Sequence, residues 1–355
     1  MLEWIAVNVL RRPMASMAGY VSEGRTYQVE TRVLGRTGRQ VGVIGLGAWQ
    51  LGADWGEVAE DDALATLGAA VDGGVTFLDT ADVYGDGRSE QLIGTFLKSR
   101  PNEGLTVATK MGRRVPQVPE SYTLENFRAW NDRSRKNLGV DTLDLVQLHC
   151  PPTAVYSSDE VFDALDTLVA EKRIAAYGVS VETRAEALTA IARPGVASVQ
   201  IILNMLRLGP LADVLPAARE AGVGIIARVP LASGLLSGKY DEHTTFAEND
   251  HRNYNRHGEA FDVGETFSGV DFATGLEAVR RLAPLVPEGV AMAQFALRWI
   301  VDQPGVSVVI PGARNPKQAA GNAAAADLAP LSEAELAAVR DVYDELIAPQ
   351  IGDRW

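Results

Sequence analysis

Residues 75–85 read Val75-Thr76-Phe77-Leu78-Asp79-Thr80-Ala81-Asp82-Val83-Tyr84-Gly85. A run of β-branched, aromatic and aliphatic residues ends on an acid, and a tyrosine follows five positions later. Such a run, bounded by turn signals, predicts a short buried strand. Two further runs end in the same manner. Leu105-Thr106-Val107-Ala108-Thr109 leads into Lys110, and Leu143-Asp144-Leu145-Val146-Gln147-Leu148 leads into His149. Ionisable side chains at the carboxyl ends of several strands are how a parallel α/β barrel assembles its chemistry. Singly, Asp79 reads as a turn cap, Lys110 as a surface lysine and His149 as a satisfied core histidine. Jointly they predict an enzyme.

Outward from this stretch, strand-like and helix-like segments alternate. Strands are expected at 43–47, 75–79, 105–109, 143–148, 174–179, 196–202, 223–229 and 306–310. Helices are expected at 60–73, 89–98, after the N-cap Thr123, and at 158–171, 184–192, 211–221, 271–283, 288–302 and 332–347. Val33 and Val41 to Val43 flank Gly38-Arg39-Gln40 and predict a β-hairpin on the barrel floor. The reading is therefore α/β, a (β/α)8 TIM barrel with an N-terminal β-hairpin and a C-terminal helix. A doubly wound sheet shares the alternation, but eight β/α units and the lack of a G-x-G-x-x-G turn favour the barrel. Residues 1–30 are expected to be an extension outside the fold, with one barrel domain over 31–355.

The 355 residues are 46% hydrophobic and 22% charged, enough apolar material for one large core. A formal charge of −13 argues against nucleic-acid or anionic-membrane partners. No run is long and apolar enough to span a membrane, and Arg11-Arg12 follows the first apolar run, opposite to a secretory signal. A cytoplasmic location is expected. Cys150 is the single cysteine, so no intrachain disulfide forms; beside His149 it reads as a packed residue rather than a nucleophile. The polar stretch 238–270 holds His243, His251 and His257 without ligand-like spacing. These are expected to be solvated, and no metal site is expected.

Asp79 with Tyr84, then Lys110, then His149, each at a strand end, resembles the catalytic tetrad of the aldo-keto reductases. The similarity begins near Arg32-Val33-Leu34-Gly35-Arg36-Thr37-Gly38, passes through Gly45-Leu46-Gly47-Ala48-Trp49, and reaches the helix after Ile310-Pro311-Gly312-Ala313-Arg314. The resemblance implies reduction of aldehydes or ketones by NADPH, or the reverse oxidation of an alcohol or sugar. Tyr84 would be the general acid, Lys110 and Asp79 its tuning pair, and His149 the group that orients the carbonyl. An ammonium about 4 Å from a phenol, at an effective dielectric near 20, stabilises phenolate by about 4 kcal/mol, roughly three pKa units. On that ground Tyr84 is expected to be acidified.

The same resemblance lays NADP(H) across the barrel mouth. Gly47, Ala48 and Trp49 would approach it after the first strand, while Ser180 and Gln200 would hold its carboxamide. The family usually has Asn after that serine; here Val181 stands in its place, so one hydrogen bond is lost or replaced. Arg228 occupies the position of a stacking aromatic, and it reads equally as a barrel-top ion pair. Pro230, Leu231, Ser233, Gly234 and Leu235, which follow it, would also contact the cofactor. Asn315 as N-cap and Pro316 at the first helical position mark a helix start suited to phosphate. There Gly312 allows close approach, Arg314 would hold the 2′-phosphate, and Gln318 and Asn322 would meet the adenine. Gln318 reads alternatively as a capping-box partner of Asn315. Trp49, Trp55, Met111 and the 238–270 loop are expected on the wall for a small carbonyl or alcohol substrate. Two rivals remain: a non-catalytic nicotinamide-sensing subunit of a larger complex, and a barrel lyase or hydrolase.

Overall fold

The computed structural model of the chain describes residues 16–22, 25–52, 58–101, 103–352 and 354–355. Eight parallel strands stand in chain order in one sheet. They are β4 (Leu46–Gly47), β5 (Phe77–Asp79), β6 (Thr106–Met111), β7 (Leu145–His149), β8 (Tyr177–Ser180), β9 (Val196–Ile202), β10 (Gly224–Arg228) and β11 (Val306–Val309). Parallel bridges Ile44↔Val309 and Gly47↔Gly312 join the first edge to the last, which closes the barrel. Every residue of β5 to β11 is buried. Strands covered on both faces need such apolar sequences.

The helices pack outside. They include α1 (Glu60–Asp72), α2 (Arg88–Ser99), α3 (Leu124–Leu138), α4 (Asp159–Ala170), α5 (Arg184–Ile191) and α6 (Val214–Ala221). Their starts carry the expected chemistry: Thr123 accepts from the Asn126 N–H, and Thr183 with Glu186 completes a capping box. Inside the barrel, Leu34, Val41, Phe77, Leu145, Ile226 and Val308 form a separate apolar plug. That plug is the dry floor beneath the polar barrel mouth.

On the floor, β2 (Arg25–Val33) pairs antiparallel with β3 (Gln40–Gly42), which is the expected hairpin. Gly35 lies at φ +47 and a Cβ there would sit 2.1 Å from the Gly224 nitrogen, so the turn seals the barrel only as glycine. β1 (Ser16–Ser22) pairs with β2, so the sheet takes in much of the segment read as an extension. Glu30 also pairs with Arg298 at 3.0 Å. The segment 1–15 lies outside the described residues.

After β10 the chain forms α7 (His251–Tyr254), α8 (Phe272–Leu282) and α9 (Met292–Val301) before returning to β11. The loop containing α7 has no period, yet it packs closely: Phe246, Phe267 and Phe272 contact one another, and Arg256 lies over two of these rings. α10 (Pro316–Ala323) follows β11. The expected closing helix divides into α11 (Glu333–Val342), a π-turn at Tyr343–Ile347 and α12 (Ala348–Ile351). Among the described residues no helix is long and apolar enough to cross a membrane.

Candidate active site

Strand register gathers the expected acid–base residues. Asp79 pairs with Gly47 and Ala108, Lys110 with Gln147, His149 with Ser180, and Ser180 with Gln200. All project at the carboxyl ends of neighbouring strands. Asp79, His149, Ser180 and Gln200 border a cleft of about 920 Å³ that also takes in residues at the start of α10, and Lys110 lies behind Asp79.

At its base, Lys110 is wholly buried and bonded to three oxygens. It donates to the Asp79 carboxylate at close range, to the Thr80 carbonyl at 3.0 Å and to the Tyr84 hydroxyl at 3.4 Å. A buried ammonium persists only when so paired. Burial works against the charge, but Asp79 and Tyr84 together hold the Lys110 pKa above its ordinary value. The other Asp79 oxygen accepts from Gln147 at 3.1 Å and Gln200 at 2.8 Å. Both carboxylate oxygens are thus engaged.

The expected acidification of Tyr84 is not what this arrangement produces. Burial lifts the phenol above its ordinary value; Lys110 pulls down, while Asp79 and Glu265 push up. Desolvation wins. Tyr84 is accordingly protonated at neutral pH, with an ammonium in hydrogen-bond reach of its oxygen. The His149 imidazole meets the Tyr84 ring edge-on at a centroid distance of 5.9 Å. Burial, with Arg113, Lys110 and Arg228 nearby, holds its pKa well below the usual range, so it is neutral. Its Nδ1 has no partner among the described residues.

Cys150 is buried and its thiol is pushed up to about 12, chiefly by burial, so the packed reading stands. Arg228 resolves towards the ion pair: it donates to Glu182 at 2.9 Å, to Glu265 at close range and to the Val181 carbonyl at 2.9 Å. Val181 itself is fully buried. In place of a side-chain amide, this position offers its backbone carbonyl to the arginine.

The expected cofactor residues mostly share the cleft. Gly47, Ala48, Trp49, Ser180, Gln200 and Arg228 line it, as do Pro230, Leu231, Ser233 and Gly234 and, after β11, Gly312, Arg314, Gln318 and Asn322. Leu235 does not: it is buried against the position of Gly275 on α8, away from the cleft. Asn315 caps α10 through the Gln318 N–H at 3.0 Å, while the Gln318 side chain turns to the Arg314 N–H at 2.9 Å. Asn322 donates to the Gly312 carbonyl at 3.1 Å. The Arg314 side chain is exposed and has no partner among the described residues.

One substrate expectation changes. Met111 lies in the core with its sulfur 3.3 Å from Asn131 of α3. Alternation turns Lys110 inward, and so turns Met111 outward. Trp55 lies outside the described residues. Trp49 does line the cleft, with its ring 6.0 Å from Tyr84 and 5.3 Å from His251. His251, expected to be solvated, is buried and lines the cleft beside Phe261. Burial lowers its pKa to about 4, which keeps it neutral among the aromatic rings.

Sequence reasoning missed Gln147, Arg113 and Glu182, and it named the 238–270 loop as substrate wall without singling out Glu265 or Phe261. Gln147 was within reach, since it stands two residues before His149 and so shares its face of the strand. Arg113, three residues after Lys110 on the following loop, lines the cleft and donates to the His149 carbonyl at 3.1 Å.

Residues 43–344 match the sequence profile of the Aldo/keto reductase family. Aldo-keto reductase YhdN of Bacillus subtilis (strain 168) is 31% identical over 288 residues, covering 79% of this chain and 84% of that protein. L-galactose dehydrogenase of Arabidopsis thaliana is 34% identical over 220 residues, covering 59% and 68%. Among solved structures, the glycerol dehydrogenase AKR11B4 from Gluconobacter oxydans superposes with a TM-score of 0.72 at 30% identity, covering 87% of this chain and 93% of that one. An aldo/keto reductase from Klebsiella pneumoniae in complex with NADP and acetate gives a TM-score of 0.66 at 25% identity, covering 89% and 95%.

Proposed function

This chain belongs to the aldo/keto reductase family and is an NADP(H)-dependent oxidoreductase, and we propose that it interconverts a small carbonyl compound and its alcohol with Tyr84 as the proton donor. The observation that carries the reading is the Tyr84 hydroxyl 3.4 Å from the buried Lys110 ammonium, in a cleft that also holds His149.

The residues present fit a nicotinamide dinucleotide. The unpartnered Arg314 guanidinium and the α10 start suit a phosphate, and Ser180 with Gln200 suits the carboxamide. Gln200 commits its amide N–H groups to Asp79 and to Gln147, at 2.8 and 3.2 Å, so its carbonyl oxygen is the atom left for the cofactor's amide. When bound, NADPH supplies the hydride.

The protein's own groups do the rest. Neutral His149 donates a hydrogen bond to the carbonyl oxygen and turns it towards Tyr84. The Tyr84 phenol then hands its proton to that oxygen as negative charge develops there. The phenolate left behind is stabilised by Lys110, whose charge is held in place by Asp79. Trp49 and Phe261 cover the substrate side and exclude water.

Purified protein with NADPH and a panel of aldehydes and ketones should consume the cofactor with at least one of them, seen as loss of NADPH absorbance. Binding of NADPH without turnover anywhere in a broad panel would instead indicate the sensing role.

A further inference from the structure

We infer that Arg113 is a specificity-determining residue that recognises a carboxylate on the substrate, so that oxo acids are the preferred carbonyl compounds of this site. The inference rests on the reductase reading above.

Arg113 is placed by the chemistry it borders. Its Nε donates to the His149 carbonyl at 3.1 Å, and it lines the cleft that Tyr84 and His149 line. A substrate oxygen held between those two residues therefore brings the rest of the molecule towards this guanidinium.

Its neighbours leave it incompletely paired. Arg113 reaches Glu182 only at 3.4 Å, whereas Arg228 holds the same carboxylate at 2.9 Å. Arg228 is further satisfied by Glu265 and by the Val181 carbonyl. Arg113 Nη1 has no partner among the described residues, and the side chain stays 23% exposed. Lys110, by contrast, is 1% exposed and fully engaged. Arg113 is thus a cation beside His149 with a spare donor on a side chain that is still partly exposed, whereas the unpartnered Nε of Arg228 is buried.

The chemistry of those donors selects the ligand. A guanidinium presents coplanar N–H groups that match the two oxygens of a carboxylate, and charge-assisted bonds of this kind are about twice as strong as neutral ones. Trp49 and Phe261 offer ring faces to the carbon chain between the two polar ends.

The test is the ratio of kcat/KM for an ω-oxo acid to that for its methyl ester, over a homologous series with NADPH. The ester keeps the skeleton and removes the charge. The wild-type protein should favour the acid at the matching chain length. Arg113→Met should lower that ratio by about 10- to 100-fold, the worth of one charged hydrogen-bond pair. Any general loss from a shifted His149 cancels in the ratio, and Arg113→Lys should restore part of it. A wild-type ratio near one at every length, or an unchanged ratio in the Met variant, overturns the inference while the reductase reading stands. No turnover of acid or ester, or of any other carbonyl, overturns both.

Discussion

Gln200 donates its side-chain amide to the buried Asp79 carboxylate at 2.8 Å, across the interior of the barrel. Gln147 donates to the same oxygen at 3.1 Å and also accepts from Gln200 at 3.2 Å. The two amides hold the acid that holds Lys110, and they fix which way the Gln200 amide faces.

Removing either amide should therefore disturb turnover. Gln200→Leu or Gln147→Leu should each slow single-turnover reduction about 10-fold or more, since a hydrogen bond to a charged group is worth about 1.5–3 kcal/mol. The double variant should lose less than the product of the two, because they share one acceptor. Independent, multiplicative losses would show that the two amides do not act through Asp79.

The proposed role of Arg314 at the 2′-phosphate predicts that it governs the choice of cofactor. Arg314→Ala should weaken NADPH binding by about one to two decades and leave NADH nearly unchanged. Fluorescence titration with both cofactors checks this; equal losses would place the 2′-phosphate elsewhere.

Asp82 makes stability depend on pH. It is buried with neither carboxylate oxygen partnered among the described residues, and burial together with Glu90 pushes its pKa from 3.8 to about 7. The folded state therefore keeps a proton that the unfolded chain releases. Its contribution is fully present below pH ~4, falls as pH rises towards 7, and falls no further above that. Asp82→Asn removes the titration, with at most ~4 kcal/mol at stake for three pKa units. Its Tm relative to wild type should rise on the order of 5 °C between pH 4 and pH 8. A constant difference across that range would mean that Asp82 does not titrate in this window.

Cys150 should be chemically quiet. With its thiol pushed up to about 12, the thiolate is scarce near neutrality. Iodoacetamide at pH 8 should leave the native protein unmodified, and Cys150→Ala should retain turnover. Rapid alkylation with loss of activity would reverse that view.

Asp79, Tyr84, Lys110 and His149 were legible as a group because ionisable residues at the ends of apolar runs are costly unless used, and β9 was bounded at 196–202 because Val196, Val199, Ile201 and Ile202 give it strand character. Met111 was misplaced although alternation beside Lys110 was enough to turn it outward. Gln147 went unnoticed because an uncharged amide at a strand end carries little signal, even on the face of His149. Glu265, His251 and Phe261 come from a loop with no period, so nothing local ties them to the barrel mouth. The rise in the Tyr84 pKa was hidden for another reason. Desolvation depends on how closely Trp49 and the loop cover the phenol, and that is a property of the packed structure.

The claim that Tyr84 donates the proton is tested most directly by single-turnover reduction of a reactive aldehyde by Tyr84→Phe, with NADPH affinity measured in parallel. This change removes the hydroxyl and keeps the ring, whereas removing Lys110 would leave Asp79 buried without its cation. The rate should fall by at least ~10²-fold, the usual share of general acid catalysis, while NADPH binds as in wild type. A Phe variant that binds NADPH normally and reduces the aldehyde at near wild-type rate would contradict the assignment of Tyr84 as the acid.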